Sequence, residues 1–160
     1  MKTFPTLSYY YQKYLITFYN NFTLYAWISL LTTKDKAILA TRQFLAFMGD
    51  QYHISVQMWM SDGGGEYKLA AFDELLRNKG IKILQSVLYT PQQNGRAECL
   101  ICTLSDKAES MCFGMCLPES WWNFAFHYAY YIYNYTPQIQ LDWHTHYELL
   151  KGEKPKVSYL

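Results

Sequence analysis

Two short runs rich in aromatic and β-branched residues, YLITFY (Tyr14 to Tyr19) and LYAWISLL (Leu24 to Leu31), flank Asn20-Asn21, whose side chains suit turns. That pattern predicts a β-hairpin. From Lys34 to about Gln51, Ile38, Leu45 and Met48 recur near helical spacing and predict a helix. HISVQMWM then alternates Ile54, Val56, Met58 and Met60 with the positions between them, the period of a strand. Beyond SDGGGEY, Leu69, Phe72, Leu75 and Leu76 share one helical face of LAAFDELLRNKG, and Gly80 stands where a left-handed residue stops the helix. IKILQ predicts the next strand, polar YTPQQNG a loop, and the residues from Arg96 to Phe113 a helix. Pro118 opens a further helix, dense in Trp and Tyr, that runs to about Asn134 and ends before Thr136-Pro137. Strands followed by alternating helix and strand predict an α/β sandwich with a mixed sheet.

Composition narrows the class. A chain of 160 residues without internal repeats, charge blocks or low-complexity linkers reads as one continuous domain, long enough to bury a core without disulfides. Its longest apolar runs fall short of the roughly 20 residues that span a bilayer. MKTFPTLSYYYQKY lacks the apolar stretch of a signal peptide, so the expectation is an intracellular protein with four reduced cysteines. A net charge of +1 gives no overall attraction to nucleic acid, so any DNA binding must come from local placement of Lys and Arg.

Asp62 follows a predicted strand and opens Gly63-Gly64-Gly65, which places a carboxylate at a strand end beside open backbone. The plainer reading is a turn aspartate. Glu98 falls in the first turn of a predicted helix, where an anion is also favoured simply as a partner of the helix dipole. Residues 63–97, 35 of them, separate the two carboxylates, enough for helix, strand and loop to bring the chain back. Converging on one point, the pair would suit Mg²⁺, a hard cation that takes one or two protein carboxylates. The rival is zinc on Cys99, Cys102, Cys112 and Cys116. Zinc knuckles hold Cys-x-x-Cys in Gly- or Pro-containing turns, whereas CLICTLSDKAESM carries helical periodicity and neither residue. WWNFAFHYAYYIY could stack bases, but Trp122, Phe126, Tyr130 and Tyr133 lie on one helical face and read as core. The four histidines are scattered and complete no ligand set.

SDGGGEY, YTPQQNGRAE, LPESWW, YNYTP and HYELLKGEKPKVSYL, in that order and spacing, resemble the integrase catalytic core of copia-type LTR retrotransposons, over about residues 13–160. The resemblance implies a ribonuclease H-like fold, a mixed sheet flanked by helices, and an Asp, Asp, Glu triad in which Asp62 is the second member and Glu98 the third. In such enzymes the carboxylates hold Mg²⁺ or Mn²⁺ for phosphodiester strand transfer. It further implies that Gln92, Gln93, Asn94 and Gly95 form a loop beside DNA; among surviving basic residues, Arg96 and Lys107 permit weak nucleic-acid binding. Element ends and target DNA would be the partners, the nucleus the location, with homodimerisation left open and neither membrane nor small-molecule substrate involved. Residues 1–13 read as a remnant of the segment after the first strand, 14–134 as the core and 135–160 as its extension.

The sequence departs from that family in places. The first catalytic Asp belongs to an Asp-x-x-Gly-Pro stretch on the strand before the hairpin, and Met1 falls about where that stretch ends, so the first, central strand is expected to be missing. Asp35 and Asp50, in or beside the first predicted helix, cannot replace its carboxylate. Asn20-Asn21 stands where Asp-Asp is usual, Leu88 where Pro is usual, and Cys99, Cys102 and Cys112 where cations usually face DNA, which weakens phosphate binding. The expectation is a truncated integrase core without strand-transfer activity. The alternatives are a non-catalytic nucleic-acid-binding or interaction module derived from such a core, and a small zinc protein.

Overall fold

The computed structural model describes residues 1–61, 70–85 and 91–156. Within them the chain forms two compact units, one of residues 1–30 and 97–160, the other of residues 31–96.

The first unit holds the hairpin. Strand β1 (Lys2–Thr3) pairs antiparallel with β2 (Tyr14–Tyr19), Lys2 opposite Leu15 and Thr3 opposite Tyr14. β2 pairs in turn with β3 (Ala26–Leu31). Between them Asn20 organises the turn, its side-chain oxygen accepting from the backbone N–H groups of Phe22 (2.8 Å) and Thr23 (2.9 Å). The short β1 differs from the expectation that no strand precedes the hairpin: two residues do pair with β2, and Phe4 N–H donates to Lys13 O at 2.9 Å to extend the contact.

Three helices complete this unit. α3 (Pro91–Gly114) enters it from residue 97, α4 spans Trp122–Tyr135 behind a 3₁₀ turn at Glu119–Trp121, and α5 spans His146–Lys151. Phe4, Leu15 and Ala26 from the strands, Leu100, Leu104 and Ala108 from α3, and Trp122, Ala125, Phe126 and Ala129 from α4 form one apolar core. Phe4 stacks on Trp122, with ring centroids 3.9 Å apart, and meets Phe126 edge-on at 5.1 Å. Tyr130 and Tyr133 pack against the same cluster, so the aromatic periodicity of α4 marks its core face as expected.

α3 begins at Pro91, not near Arg96. Proline suits the first helical position because its fixed φ is helical and its missing N–H would be unpaired there anyway. The expected loop at Gln92, Gln93, Asn94 and Gly95 is therefore the start of a helix. The same helix stops in a Schellman arrangement, Leu117 N–H to Cys112 O at 2.9 Å and Cys116 N–H to Phe113 O at 3.2 Å, with Cys116 at φ +50°. A left-handed backbone at this position favours glycine. Cys116→Gly is expected to raise the unfolding free energy by about 0.5–1 kcal/mol; urea denaturation reads it, and an unchanged or lower value contradicts it.

In the second unit a 3₁₀ turn at Lys34–Lys36 leads into α1 (Ala37–Tyr52), followed by β4 (Met58–Ser61), α2 (Ala70–Asn78) and β5 (Lys82–Gln85). β4 and β5 run parallel, with Trp59 opposite Ile83. The expected strand from His53 is shorter and opposite in phase: Trp59 is buried while Met58 and Met60 are exposed. The indole offers more apolar area than either thioether, and it packs edge-on to Phe72 at 5.8 Å. α2 buries Phe72, Leu75 and Leu76 and ends as expected at Gly80, φ +69°, where Gly80 N–H bonds Arg77 O (2.9 Å) and Ile81 N–H bonds Leu76 O (2.9 Å). Among the described residues no helix is long and apolar enough to cross a membrane.

Candidate functional site

Helix α3 carries most of the sequence-predicted site. Leu100, Leu104 and Ala108 pin one of its faces into the core, and Glu98, Cys99 and Cys102 are exposed. Because the helix starts at Pro91, Glu98 stands beyond the first turn, outside the reach of the helix-end dipole and of a capping role. It stands there as an exposed glutamate in a helix interior, a position glutamate favours on propensity alone. Arg96 is exposed, Lys107 is half-buried about 16 Å further along the axis, and a Cβ at Gly95 would meet open space. Asp62 lies outside the described residues, as do the side chains of Gln92, Gln93 and Asn94. Asp35 lies exposed in the 3₁₀ turn before α1, with a hydrogen bond from Thr33 holding its carboxyl below the usual range, and Asp50 is exposed near the end of α1.

Strand β1 is tied to α3 through Lys2. Its ammonium donates to Ser105 Oγ at 2.6 Å, lies 4.0 Å from Glu109 Oε1 and sits 5.2 and 5.8 Å from the ring centroids of Phe4 and Phe126. Ser105 in turn donates to Ile101 O at 2.6 Å. Ser105 comes seven residues after Glu98, close to two helical turns, so Lys2 meets the same stripe of α3 that bears Glu98.

Two buried polar side chains hold the hairpin by its backbone, and neither was singled out from the sequence. Asn134 accepts from Ala26 N–H at 2.9 Å and donates to Ala26 O at 3.0 Å. His146 Nδ1 donates to Thr23 O at 3.0 Å, and its ring stacks on Tyr133 with centroids 4.5 Å apart. Burial holds the His146 imidazole below its ordinary pKa, with the Thr23 bond opposing, and burial raises the Tyr133 phenol. A capping box positions His146: Thr145 accepts from Glu148 N–H at 3.0 Å while Glu148 accepts from Thr145 N–H at 2.7 Å. The T-x-x-E spacing was the legible signal for α5.

The four cysteines are free thiols. Cys99, Cys102 and Cys112 lie within continuous helix, as expected, and Cys112 packs against the core cluster instead of facing open solvent. Among the described residues no group of three or more His, Cys, Asp or Glu side chains is placed to hold a metal.

No protein-family model matches the chain. By sequence it is 30% identical over 148 residues, 92% of its length, to the retrovirus-related Pol polyprotein from transposon TNT 1-94 of Nicotiana tabacum. It is 26% identical over 156 residues, 98% of its length, to the corresponding polyprotein from transposon RE1 of Arabidopsis thaliana. The chain spans only 11% and 10% of those relatives. By structure it is similar to the HTLV-2 integrase catalytic core domain in complex with magnesium, in a trimeric form: TM-score 0.67, 16% identity, 89% of this chain and 88% of that one. The BIV integrase catalytic core gives TM-score 0.65 and 18% identity over 85% and 84% of the two chains. The simian T-cell lymphotropic virus intasome in complex with PP2A regulatory subunit B56 gamma gives 0.71 and 16%, over 91% of this chain and 52% of that one.

Proposed function

Because the chain is related to copia-type retrovirus-related Pol polyproteins of plant transposons and has the fold of retroviral integrase catalytic cores, we propose that it is a retrotransposon integrase core that engages DNA but holds only part of a strand-transfer centre. The placement of Glu98 carries this reading. It is an exposed carboxylate beyond the first turn of α3, inside PQQNG-x-AE and separated from Asp62 by 35 residues.

Asp62 and Glu98 are hard oxygen donors, the chemistry that suits Mg²⁺ or Mn²⁺ and not zinc. Bound there, such an ion would supply charge stabilisation for phosphodiester exchange. The chain's own part is to present the two carboxylates and to hold DNA phosphates with Arg96 and Lys107. β1 bears on the third carboxylate. The resemblance puts that carboxylate on the strand before the hairpin, and β1 there, Lys2–Thr3, carries no acidic residue. Exposed thiols at Cys99 and Cys102, where cations would strengthen phosphate contacts, favour weak binding without chemistry. Nuclear DNA as target and self-association belong to the same proposal.

Incubation of the 160-residue chain with Mn²⁺ and pre-processed element ends is expected to yield no joined product above background, alongside DNA retention that weakens with salt. Arg96→Ala should lower the slope of log affinity against log salt by about one. Joined product would overturn the claim of lost activity, and absence of retention at low salt would overturn the claim of DNA engagement.

A further inference from the structure

The Cys-x-x-Cys pair finds no use in a carboxylate centre, and its geometry supports a different chemistry. Cys99 and Cys102 are both exposed and lie three residues apart in α3, with Leu100, Leu104 and Ala108 buried on the opposite face of the same segment. On a helix such a spacing puts the two side chains on one side, with Cβ atoms about 5–6 Å apart. A disulfide needs Cβ atoms about 3.5–4.5 Å apart. Direct S–S closure would therefore require the backbone to move, and the buried face of α3 resists that. A bridge through one further atom is longer, and it fits without unwinding the helix. Cys112 is ten residues beyond Cys102, about 15 Å along the axis, and Cys116 lies past the helix end, so neither can join the pair. Two thiols with no third His, Cys, Asp or Glu ligand among the described residues do not make the four-coordinate site that structural zinc takes.

The geometry points to Cys99 and Cys102 as a dithiol clamp for a soft, thiophilic centre of low coordination number, trivalent arsenic being the type. Capture balances without oxidation. Two S–H bonds and two As–O bonds break, two As–S bonds form, and two waters leave as a hydrated monoaryl arsenical becomes a cyclic dithioarsenite. Sulfur stays at the thiol oxidation level throughout.

The probe is phenylarsine oxide added to the reduced full chain, with intact-mass detection. One adduct per chain is expected to survive excess 2-mercaptoethanol, to be removed by 1,2-ethanedithiol, and to leave the far-UV circular dichroism unchanged. Cys99→Ser and Cys102→Ser should each abolish the monothiol-resistant adduct, whereas Cys112→Ser and Cys116→Ser should keep it. Loss of helical signal on capture, or an adduct that survives either of the first two substitutions, overturns the clamp. Oxidised glutathione separates the two bridge lengths: the native chain should form no Cys99–Cys102 disulfide, the urea-unfolded chain should form it, and ready formation in the native chain overturns the geometric argument.

Discussion

Asn134→Ala is expected to lower the unfolding free energy by about 3 kcal/mol. The Asn134 side chain is fully buried and meets both backbone groups of Ala26, which is itself fully buried. Its amide thus occupies the place of a neighbouring strand, accepting from the N–H and donating to the C=O of one β3 residue. Removing it loses two hydrogen bonds and strands an N–H and a C=O where water does not reach, each costing about 1–3 kcal/mol, with a small cavity added. A domain of this size should then melt roughly 6–12 °C lower. Asn134→Asp, nearly the same shape, should not rescue: its carboxylate can accept from Ala26 N–H but cannot donate to Ala26 O while ionised. Thermal and urea denaturation of both variants check this, and a loss below about 1 kcal/mol in the alanine variant would remove Asn134 from the architecture proposed for it.

The second large effect is a dependence of stability on pH that runs through His146. The ring is fully buried, its Nδ1–H is committed to Thr23 O, and its Nε2 has no hydrogen-bond partner among the described residues. Charging the ring means protonating Nε2 in an apolar pocket, which is why burial lowers the pKa from 6.5. The folded state therefore refuses a proton that the unfolded chain accepts. Stability from this residue is complete above the unfolded value of 6.5 and is lost as pH falls from there toward the lowered folded value. His146→Asn retains a donor for Thr23 without a titrating group. It should be less stable by about 1–2 kcal/mol at neutral pH, where the stack on Tyr133 is missing. Its stability should change less than that of the native chain between about pH 7.5 and about pH 5.5. His127, whose pKa desolvation also lowers, is present in both proteins, so the difference isolates His146. Parallel pH profiles for the two proteins would refute the assignment.

Local periodicity made much of the fold legible. The hairpin around Asn20, the glycine stop at Gly80 and the core face of α4 follow from short-range pattern, and the structure shows them as expected. Features that depend on distant partners were not legible. The phase of β4 was decided by Trp59 packing on Phe72, since the alternating methionines tolerate either side. Asn134 and His146 act on residues 108 and 123 positions away, and no window of sequence shows that. The early start of α3 was hidden by polar QQNG, where proline at the first helical position mattered more than turn composition. For the site, sequence singled out Asp62 and Glu98; the structure places Glu98 beyond the first turn of α3, where it is not a capping residue, and Asp62 lies outside the described residues.

The most direct test of the central claim is whether Asp62 and Glu98 form one oxygen-lined metal site. A titration of the ¹⁵N-labelled chain with substoichiometric Mn²⁺, read by paramagnetic broadening of amide signals, answers it. Signals flanking Asp62 and those flanking Glu98 should broaden together, and Asp62→Asn or Glu98→Gln should each abolish the effect at both segments. Broadening at one segment alone, or broadening that survives either substitution, would contradict a shared site.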